Sequence, residues 1–238
     1  MRRRRALAFA ATCLILPFVY QATAGAQEAV RAVSTAGPFS LQGARTLRRG
    51  ESALMAGIGW PSAFFEYDIG VSNRFNLGFR GDLYYGSPFL DFVTAFGGGF
   101  SVPMRLHIWG RNRIDLGIGL RPGIDVGESE LFGQSGVFRD DSGFAIHLGD
   151  PAFLFDITPI DTLTIFARAE VQLALVIVPD ADDTYFVSTL SFSGGIELSL
   201  SRDLNLFILS GVGPGFAKRG KFDRRLHFRL AIGIELLL

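Results

Sequence analysis

The sequence predicts an all-β fold, an antiparallel up-and-down β-barrel of about ten strands. From about residue 51 onward, apolar and polar residues alternate with a period of two, which is the repeat of a half-buried strand. Tight polar turns alternate along the chain with longer connections. No stretch after residue 26 has the roughly 20 consecutive apolar residues that a membrane-spanning helix requires. Together these observations indicate strands joined in hairpins.

The first 26 residues have the layout of a secretory signal peptide. Four arginines precede a short apolar run, which ends in the small residues Ala24, Gly25 and Ala26. We expect cleavage after Ala26. Cleavage would remove four of the 23 basic residues and none of the 23 acidic residues, for a net charge of about −4, together with Cys13, the single cysteine. This charge balance argues against a nucleic-acid partner.

Residues 27–50 lack the alternation and are expected to form an irregular leader, whereas residues 51–238 form one barrel domain. The alternating runs and their breakers place strands near residues 52–60, 63–71, 75–85, 89–108, 113–123, 143–157, 162–177, 185–200, 203–212 and 225–238. Eight or twelve strands are also compatible with the pattern. In the sixth strand the phase of alternation changes at Gly149, Asp150 and Pro151, which predicts a β-bulge.

Four short polar turns recur at every second connection. They precede the strands that begin in "SNRFNLGF", "GRNRIDLGI", "PIDTLTIF" and "SRDLNLFI". Because neighbouring strands of an up-and-down barrel run in opposite directions, these four turns are expected at one end of the barrel. The more variable connections, such as "DVGESELFGQSGVFRDDS", are expected at the other end.

The orientation of the apolar face distinguishes two kinds of barrel. In a soluble exported barrel such as a lipocalin the apolar face lines the inside, whereas in a transmembrane barrel it contacts lipid. Here the polar face is rich in small residues and arginines, and the only lysines are Lys218 and Lys221. The apolar face carries more large side chains than a small barrel encloses. Both features favour a transmembrane β-barrel, and a lipocalin-like ligand-binding barrel is the alternative.

Aromatic residues near the predicted strand ends are a further indication of a membrane. Such residues concentrate at the two interfaces of a transmembrane barrel. The predicted aromatic girdle consists of Trp60, Phe65, Tyr84, Tyr85, Trp109 and Tyr185.

With its signal segment, even strand number, asymmetric connections and amphipathic last strand, the region 51–238 resembles a Gram-negative outer-membrane β-barrel protein. The resemblance implies a location in the cell outer membrane, contact with outer-membrane lipid, and a periplasmic leader and turns. It also implies recognition of the last strand by the barrel-assembly machinery. Such proteins usually end on an aromatic residue, whereas this chain ends on Leu238. The Gly-x-Trp spacing of lipocalins is absent, since Gly59 directly precedes Trp60.

Charged residues on the predicted inner face form the main candidate site. This lumen charge network consists of Arg80, Asp82, Arg105, Asp115, Arg121, Asp156, Arg168, Glu170, Glu197, Arg229 and Glu235. It suits either a charged constriction that selects solutes or a paired network that fills a narrow barrel. The near balance of signs favours the second. We therefore expect a non-catalytic barrel that acts as a small-solute or lipid-related conduit or as a structural surface protein.

Two other sets of residues suggest different chemistry. His147 and His227 lie near the end of the longer loops and point inward, which raises the alternative of a rim enzyme, either a protease or a lipid deacylase. No serine or acid is spaced to orient either histidine, so no catalytic residue is assigned. Asp180, Asp182 and Asp183 are a candidate cation site, without the glycine and glutamate of an EF-hand loop. No cofactor is implied.

Overall fold

The computed structural model describes residues 39–89, 94–132, 142–179, 183–219 and 221–238. Within these ranges the chain forms eleven β-strands and one short 3-10 helix, Ser129–Phe132. The strands are β1 (Ser52–Trp60), β2 (Ser62–Ser72), β3 (Phe75–Tyr84), β4 (Gly97–Ser101), β5 (Met104–Arg111), β6 (Ile114–Glu128), β7 (Ser142–Ile160), β8 (Leu163–Val178), β9 (Asp183–Ser199), β10 (Leu204–Arg219) and β11 (Lys221–Leu237).

The strands close into an antiparallel barrel. Apart from β4 and β5, consecutive strands pair with each other, and β1 pairs with β11 from Ala53 opposite Leu237 to Trp60 opposite Leu230. β4 and β5 both pair with β3 and β6, so the eleven segments make ten barrel strands. The predicted all-β antiparallel barrel of about ten strands is confirmed.

The break between β4 and β5 has a local chemical cause. Pro103 has no amide hydrogen to donate to a ladder. Its carbonyl still accepts a hydrogen bond of 2.7 Å from the amide of Gly78, and the amide of Val102 donates to the Pro122 carbonyl at 2.9 Å. The barrel wall is therefore hydrogen-bonded across the interruption.

The predicted bulge in the sixth barrel strand is confirmed. The pairing of β7 with β8 shifts register between His147 and Ala152, and Gly149 and Asp150 have positive φ values of 128° and 37°. The extra residues in the bulge rotate the strand, so the side chains that point inward switch from one alternating set of positions to the other.

The two ends of the barrel differ. The connections 73–74, 112–113, 161–162 and 200–203 lie at one end, here called the turn end, together with the last residue of β11. Asn112 and Arg113 both have positive φ, as a tight two-residue hairpin turn requires. The opposite end, here called the loop end, carries the longer connections 85–96, 129–141 and 179–182 and two one-residue connections, at positions 61 and 220.

The large apolar side chains point outward. Leu83, Ile58 and Ile232 are 70%, 60% and 55% exposed. The alternate positions hold buried polar groups, among them Asp82 beside Leu83 and Glu235 beside Ile234. The outer surface is thus apolar and the interior polar, the reverse of a soluble barrel. Among the described residues, no helix has the length and apolar character needed to cross a bilayer.

Residues 39–49, here called the inner segment, occupy the turn end of the interior. Leu41, Ala44 and Leu47 are buried to 1% exposure or less. Leu41 and Leu47 pack with Phe166, Phe207 and other inward side chains in one apolar cluster. The segment returns to the wall where the amide of Gly50 donates to the carbonyl of Gly70 at 2.8 Å.

Candidate functional site

The inner segment is held by carboxylates that project from several strands. The amide of Gln42 donates to Glu197 on β9 at 2.9 Å, and the amide of Ala44 donates to Asp156 on β7 at 3.2 Å. The amide of Leu41 lies 3.4 Å from Glu235 on β11. Each buried carboxylate thus receives a main-chain donor, which offsets part of its desolvation cost.

Wall side chains also donate to the carbonyl groups of the segment. Asn205 Nδ2 donates to the Phe39 carbonyl at 2.7 Å and Arg168 Nη2 donates to the Gln42 carbonyl at 2.9 Å. Arg105 Nη1 donates to the carbonyl of Leu41. The segment packs so closely that a Cβ on Gly43 would lie 2.3 Å from a carboxylate oxygen of Asp156.

Arg45 places the positive charge of the inner segment between two wall acids. Its Nε lies 3.1 Å from Asp115 and 3.8 Å from Asp156, and its side chain is 13% exposed. His107 Nε2 contacts the other oxygen of Asp115 at 2.9 Å. These contacts make the turn end a paired, water-poor cluster.

Two arginines pair with acids at mid-height near β2 and β3. Arg80 binds both oxygens of Asp82, at 2.9 and 2.8 Å, and its Nη1 lies 3.4 Å from Glu66. Arg105 Nη2 lies 2.8 Å from Asp68 and 3.7 Å from Glu66. The forked geometry of the Arg80–Asp82 pair fixes both of these side chains, whereas Arg105 and Asp68 form an ion pair with a single close contact.

A second group of pairs centres on Glu170 of β8. Arg121 Nη2 lies 3.0 Å from this carboxylate and 3.6 Å from Asp150. Arg229 Nη2 lies 3.5 Å from Glu170 and donates to Ser193 Oγ at 2.6 Å. One carboxylate therefore serves two guanidinium groups.

His147 bridges two aspartates near the loop end. Its Nε2 lies 2.8 Å from Asp125 and its Nδ1 lies 3.1 Å from Asp150. Tyr84 donates its hydroxyl to Asp125 at 3.2 Å. An imidazole with a carboxylate on each nitrogen suits the doubly protonated form.

Above the inner segment lies a cavity of about 140 Å³. Four arginines, two aspartates and two histidines line it: Arg80, Arg121, Arg168, Arg229, Asp82, Asp125, His147 and His227. Leu131 and Phe132 of the 3-10 helix, with Phe89, bound it toward the loop end. The ring of Phe89 meets His227 edge to face, with centroids 6.2 Å apart.

The structure places all eleven residues of the predicted lumen charge network on the inner face of the barrel, eight of them in ion pairs. Glu197 and Glu235 contact the inner segment instead, as does Arg168. The sequence reasoning missed several members of the network: Arg45, Glu66, Asp68, His107, Asp125 and Asp150. Period-two counting along β2 would have found Glu66 and Asp68, which alternate with outward Phe65 and Tyr67.

The predicted aromatic girdle needs correction. Phe65 and Trp109 are outward and exposed. Tyr84 and Tyr185 instead point inward: Tyr84 lines the cavity, and Tyr185 is buried with its hydroxyl donating to the Phe132 carbonyl at 3.4 Å. Both follow the alternation of their strands, since their neighbours Leu83 and Phe186 face outward.

Trp60 and Tyr85, the other two predicted girdle residues, contact each other edge to face with centroids 6.3 Å apart. Trp60 is half-buried and lines the cavity. The hydroxyl of Tyr85 donates to the Gly59 carbonyl. These contacts close the β1–β2 turn against the chain that follows β3, so neither residue serves simply as an interfacial anchor.

The candidate cation site lies outside the described residues, since these omit Asp180, Asp182 and the side chain of Asp183. Within the described ranges, no group of three or more acidic, histidine or cysteine side chains has the geometry to hold a metal ion.

No protein-family model matches the sequence, and no curated protein matches it. Among solved structures, the chain is similar to the outer membrane protease OmpT from Escherichia coli, with 6% identity, a TM-score of 0.43 and coverage of 79% of this chain and 93% of that one. It is also similar to the N-terminal β-barrel domain of OprF from Pseudomonas aeruginosa, with 8% identity, a TM-score of 0.30 and coverage of 79% and 96%.

A third structure is Ail, the attachment invasion locus protein of Yersinia pestis, with 9% identity, a TM-score of 0.23 and coverage of 80% and 99%. At these low sequence identities the similarity concerns the fold alone. The resemblance to outer-membrane β-barrel proteins inferred from the sequence is confirmed at the level of that fold, a closed antiparallel barrel with an apolar outer face.

Proposed function

We propose that this protein is a non-catalytic, integral outer-membrane β-barrel whose interior is closed, so that it acts as a structural surface barrel. The observation that carries the proposal is the inversion of polarity: large apolar side chains cover the outside, and ion pairs fill the inside. A contiguous apolar surface of this extent is costly in water and suits lipid. The same inversion opposes the lipocalin-like alternative.

The inner segment supports a closed interior. Its main chain bridges β7, β9 and β11, and Leu41 and Leu47 pack into an apolar cluster across the lumen. The ion pairs of Arg80, Arg105 and Arg121 occupy the level above it. A solute entering from the loop end would have to displace both layers.

The orientation and export follow from the same proposal. Residues 1–26 act as a cleaved signal peptide, the turn end and the inner segment face the periplasm, and outer-membrane lipid contacts the wall. The last strand, β11, is the segment that the barrel-assembly machinery would recognise. It ends beside β1, where the amide of Leu238 donates to the Ser52 carbonyl at 2.8 Å.

A conduit for small solutes or lipids is the second candidate function. The arginine-lined cavity of about 140 Å³ favours it, because such a cavity concentrates anions near the loop end. A rim enzyme is less well supported. Both ring nitrogens of His147 face carboxylates, so the imidazole has no lone pair ready to take a proton from a nucleophile.

Two measurements test the proposal. Cell fractionation, followed by gels of boiled and unboiled samples, should recover the protein in the outer membrane with a heat-dependent mobility shift. Planar-bilayer recordings of the purified barrel should show no steady channel conductance. Recovery in the soluble periplasmic fraction would contradict the membrane location, whereas steady conductance would contradict only the closed interior and favour the conduit.

A further inference from the structure

The side chains of Arg168, Arg229 and His227 line the cavity at the loop end together. Each of them has one buried ring or guanidinium nitrogen without a hydrogen-bond partner among the described residues, namely Arg168 Nε, Arg229 Nε and His227 Nδ1. His227 is only 6% exposed. The polar groups on this side of the cavity are therefore incompletely matched by the protein itself.

Most of the charges that line the cavity are paired, some of them with Glu66, Asp150 and Glu170, which lie just outside the lining. Of its two aspartates, Asp82 gives both oxygens to Arg80, and Asp125 accepts from His147 and Tyr84. Arg168 has no ion pair with a carboxylate in the described part of the chain, and its one hydrogen bond goes to the carbonyl of Gln42. Arg168 is therefore the lining arginine without a carboxylate partner among the described residues, and an anion in the cavity would supply one.

Arg229 is only weakly paired. Its only described carboxylate neighbour, Glu170, lies 3.5 Å away and also pairs with Arg121 at the shorter distance of 3.0 Å. One negative charge is thus divided between two arginines, while Arg168 depends on a neutral carbonyl.

The wall toward the loop end is apolar. Leu131, Phe132, Ala174, Val176 and Val187 line the cavity on that side. All but Val187 belong to one buried apolar cluster, against which Val187 packs. A space of about 140 Å³ is close to that of the protein cavities that accept a single benzene ring. Size and lining together suit a molecule with one charged end and a compact apolar body.

We propose that this cavity binds a small organic monocarboxylate. Its carboxylate contacts Arg168, Arg229 and His227, and its apolar body packs against Leu131 and Phe132. Binding is reversible and involves no covalent step. The proposal goes beyond that of a closed barrel and does not depend on the membrane location, because every group it uses lies in the interior.

The chain supplies its own reporter of binding. It contains two tryptophans, of which Trp60 lines the cavity and Trp109 lies on the outer face. In the full chain carrying Trp109→Phe and folded in detergent micelles, Trp60 is the only indole. We expect benzoate to change its fluorescence saturably. Benzyl alcohol, which has the ring without the charge, and inorganic phosphate, which has the charge without the ring, should each bind at least about tenfold more weakly.

The ligand series itself discriminates between outcomes. Equal binding of benzyl alcohol would overturn the role of the arginines, and equal binding of phosphate would overturn the role of the apolar wall. The absence of a saturable change with benzoate would overturn the proposal as a whole.

Two variants locate the site. Arg168→Met should weaken benzoate binding about tenfold or more, because a charge-assisted contact is lost. The control is Arg113→Met. Arg113 is an exposed arginine at the turn end that pairs with Asp161 at 3.1 Å, so this variant should bind benzoate with unchanged affinity. Val187→Phe, which fills the cavity without removing a charge, should abolish the saturable signal. Heat-dependent gel mobility establishes that each variant is folded.

If Arg168→Met does not fold, Val187→Phe and the ligand series of the parent protein still decide the outcome. Unchanged benzoate affinity in either folded variant would overturn the assignment of the site to this cavity.

Discussion

The two halves of the barrel interior satisfy their buried charges in different ways. At the turn end, Glu197 and Asp156 each accept a main-chain amide of the inner segment, Arg45 lies beside Asp156, and the atoms left without a partner among the described residues are carboxylate oxygens such as Glu197 Oε2. At the loop end a cavity of about 140 Å³ remains, and the unpartnered atoms there include the Nε atoms of Arg168 and Arg229.

Space and pairing together indicate which half is available for binding. The inner segment fills the turn-end half, so little space remains there for a ligand. The loop-end half has a cavity, an arginine without a carboxylate partner among the described residues and an apolar wall, and these are the features of a binding site. Removal of an arginine should therefore cost much stability at the turn end and little at the loop end.

The largest expected effect comes from Arg45→Ala at the turn end. It leaves Asp115 and Asp156 buried without their cation, which should lower the free energy of unfolding by about 3 to 5 kcal/mol. Urea unfolding of the barrel in lipid vesicles, followed by heat-dependent gel mobility, measures the change. The matched control is Arg48→Ala. Arg48 is 69% exposed and its ion pair with Glu51 is long, at 4.0 Å, so the substitution should lower the free energy of unfolding by less than about 1 kcal/mol. Equal effects of the two variants would show that Arg45 does not neutralise buried acids at the turn end.

A change on the outer wall separates lipid contact from interior packing. Ile232 is 55% exposed and pairs with Ile58 and Ile208 on the neighbouring strands. Ile232→Arg should cost about 2 to 4 kcal/mol in lipid vesicles, since a charge would face hydrocarbon. Ile232→Ala removes the same side chain without adding charge and should cost clearly less in the same unfolding experiment. If the arginine variant were as stable as the alanine variant, the outward face would not contact lipid.

Gly43→Ala tests how tightly the inner segment is seated. The added methyl group would lie 2.3 Å from Asp156 Oδ2, so either the segment or the aspartate must move. We expect a cost of about 1 to 3 kcal/mol by the same urea unfolding. Gly81→Ala is the control, because its Cβ would meet no atom within 4 Å, and it should be close to neutral. A neutral Gly43→Ala would mean that the segment is loosely held.

The smallest expected effect comes from Arg168→Met at the loop end. The substitution removes a guanidinium that has no ion pair among the described residues and replaces it with an apolar side chain of similar length. The free energy of unfolding in the absence of ligand should fall by no more than about 1 to 2 kcal/mol, because the Gln42 carbonyl loses a donor but no ion pair is broken. Loss of several kcal/mol, as for Arg45→Ala, would show that the loop end is as fully paired as the turn end.

Much of the wall was predictable because period-two alternation assigns each side chain to one face. The same rule located the inner charges and the bulge at Gly149. The aromatic girdle was misassigned for Tyr84 and Tyr185 because nearness to a strand end was given more weight than the alternation itself.

The insertion of the inner segment was not predictable from any local pattern. Residues 39–49 have no periodicity, and their partners come from strands far along the chain, such as Glu197 and Glu235. The grouping of Arg168, His227 and Arg229 around one cavity likewise depends on closure of the barrel, which brings together β8 and β11.

The contact between Leu41 and Glu235 spans 194 positions of the sequence. Contacts of such high sequence separation form late in folding, because the intervening chain must first be ordered. The inner segment precedes every strand in the chain, yet its carboxylate partners lie on β9 and β11, near the end of the sequence. Its burial therefore marks the completion of assembly, and protection of the amides of Gln42 and Ala44 from hydrogen exchange would time that event.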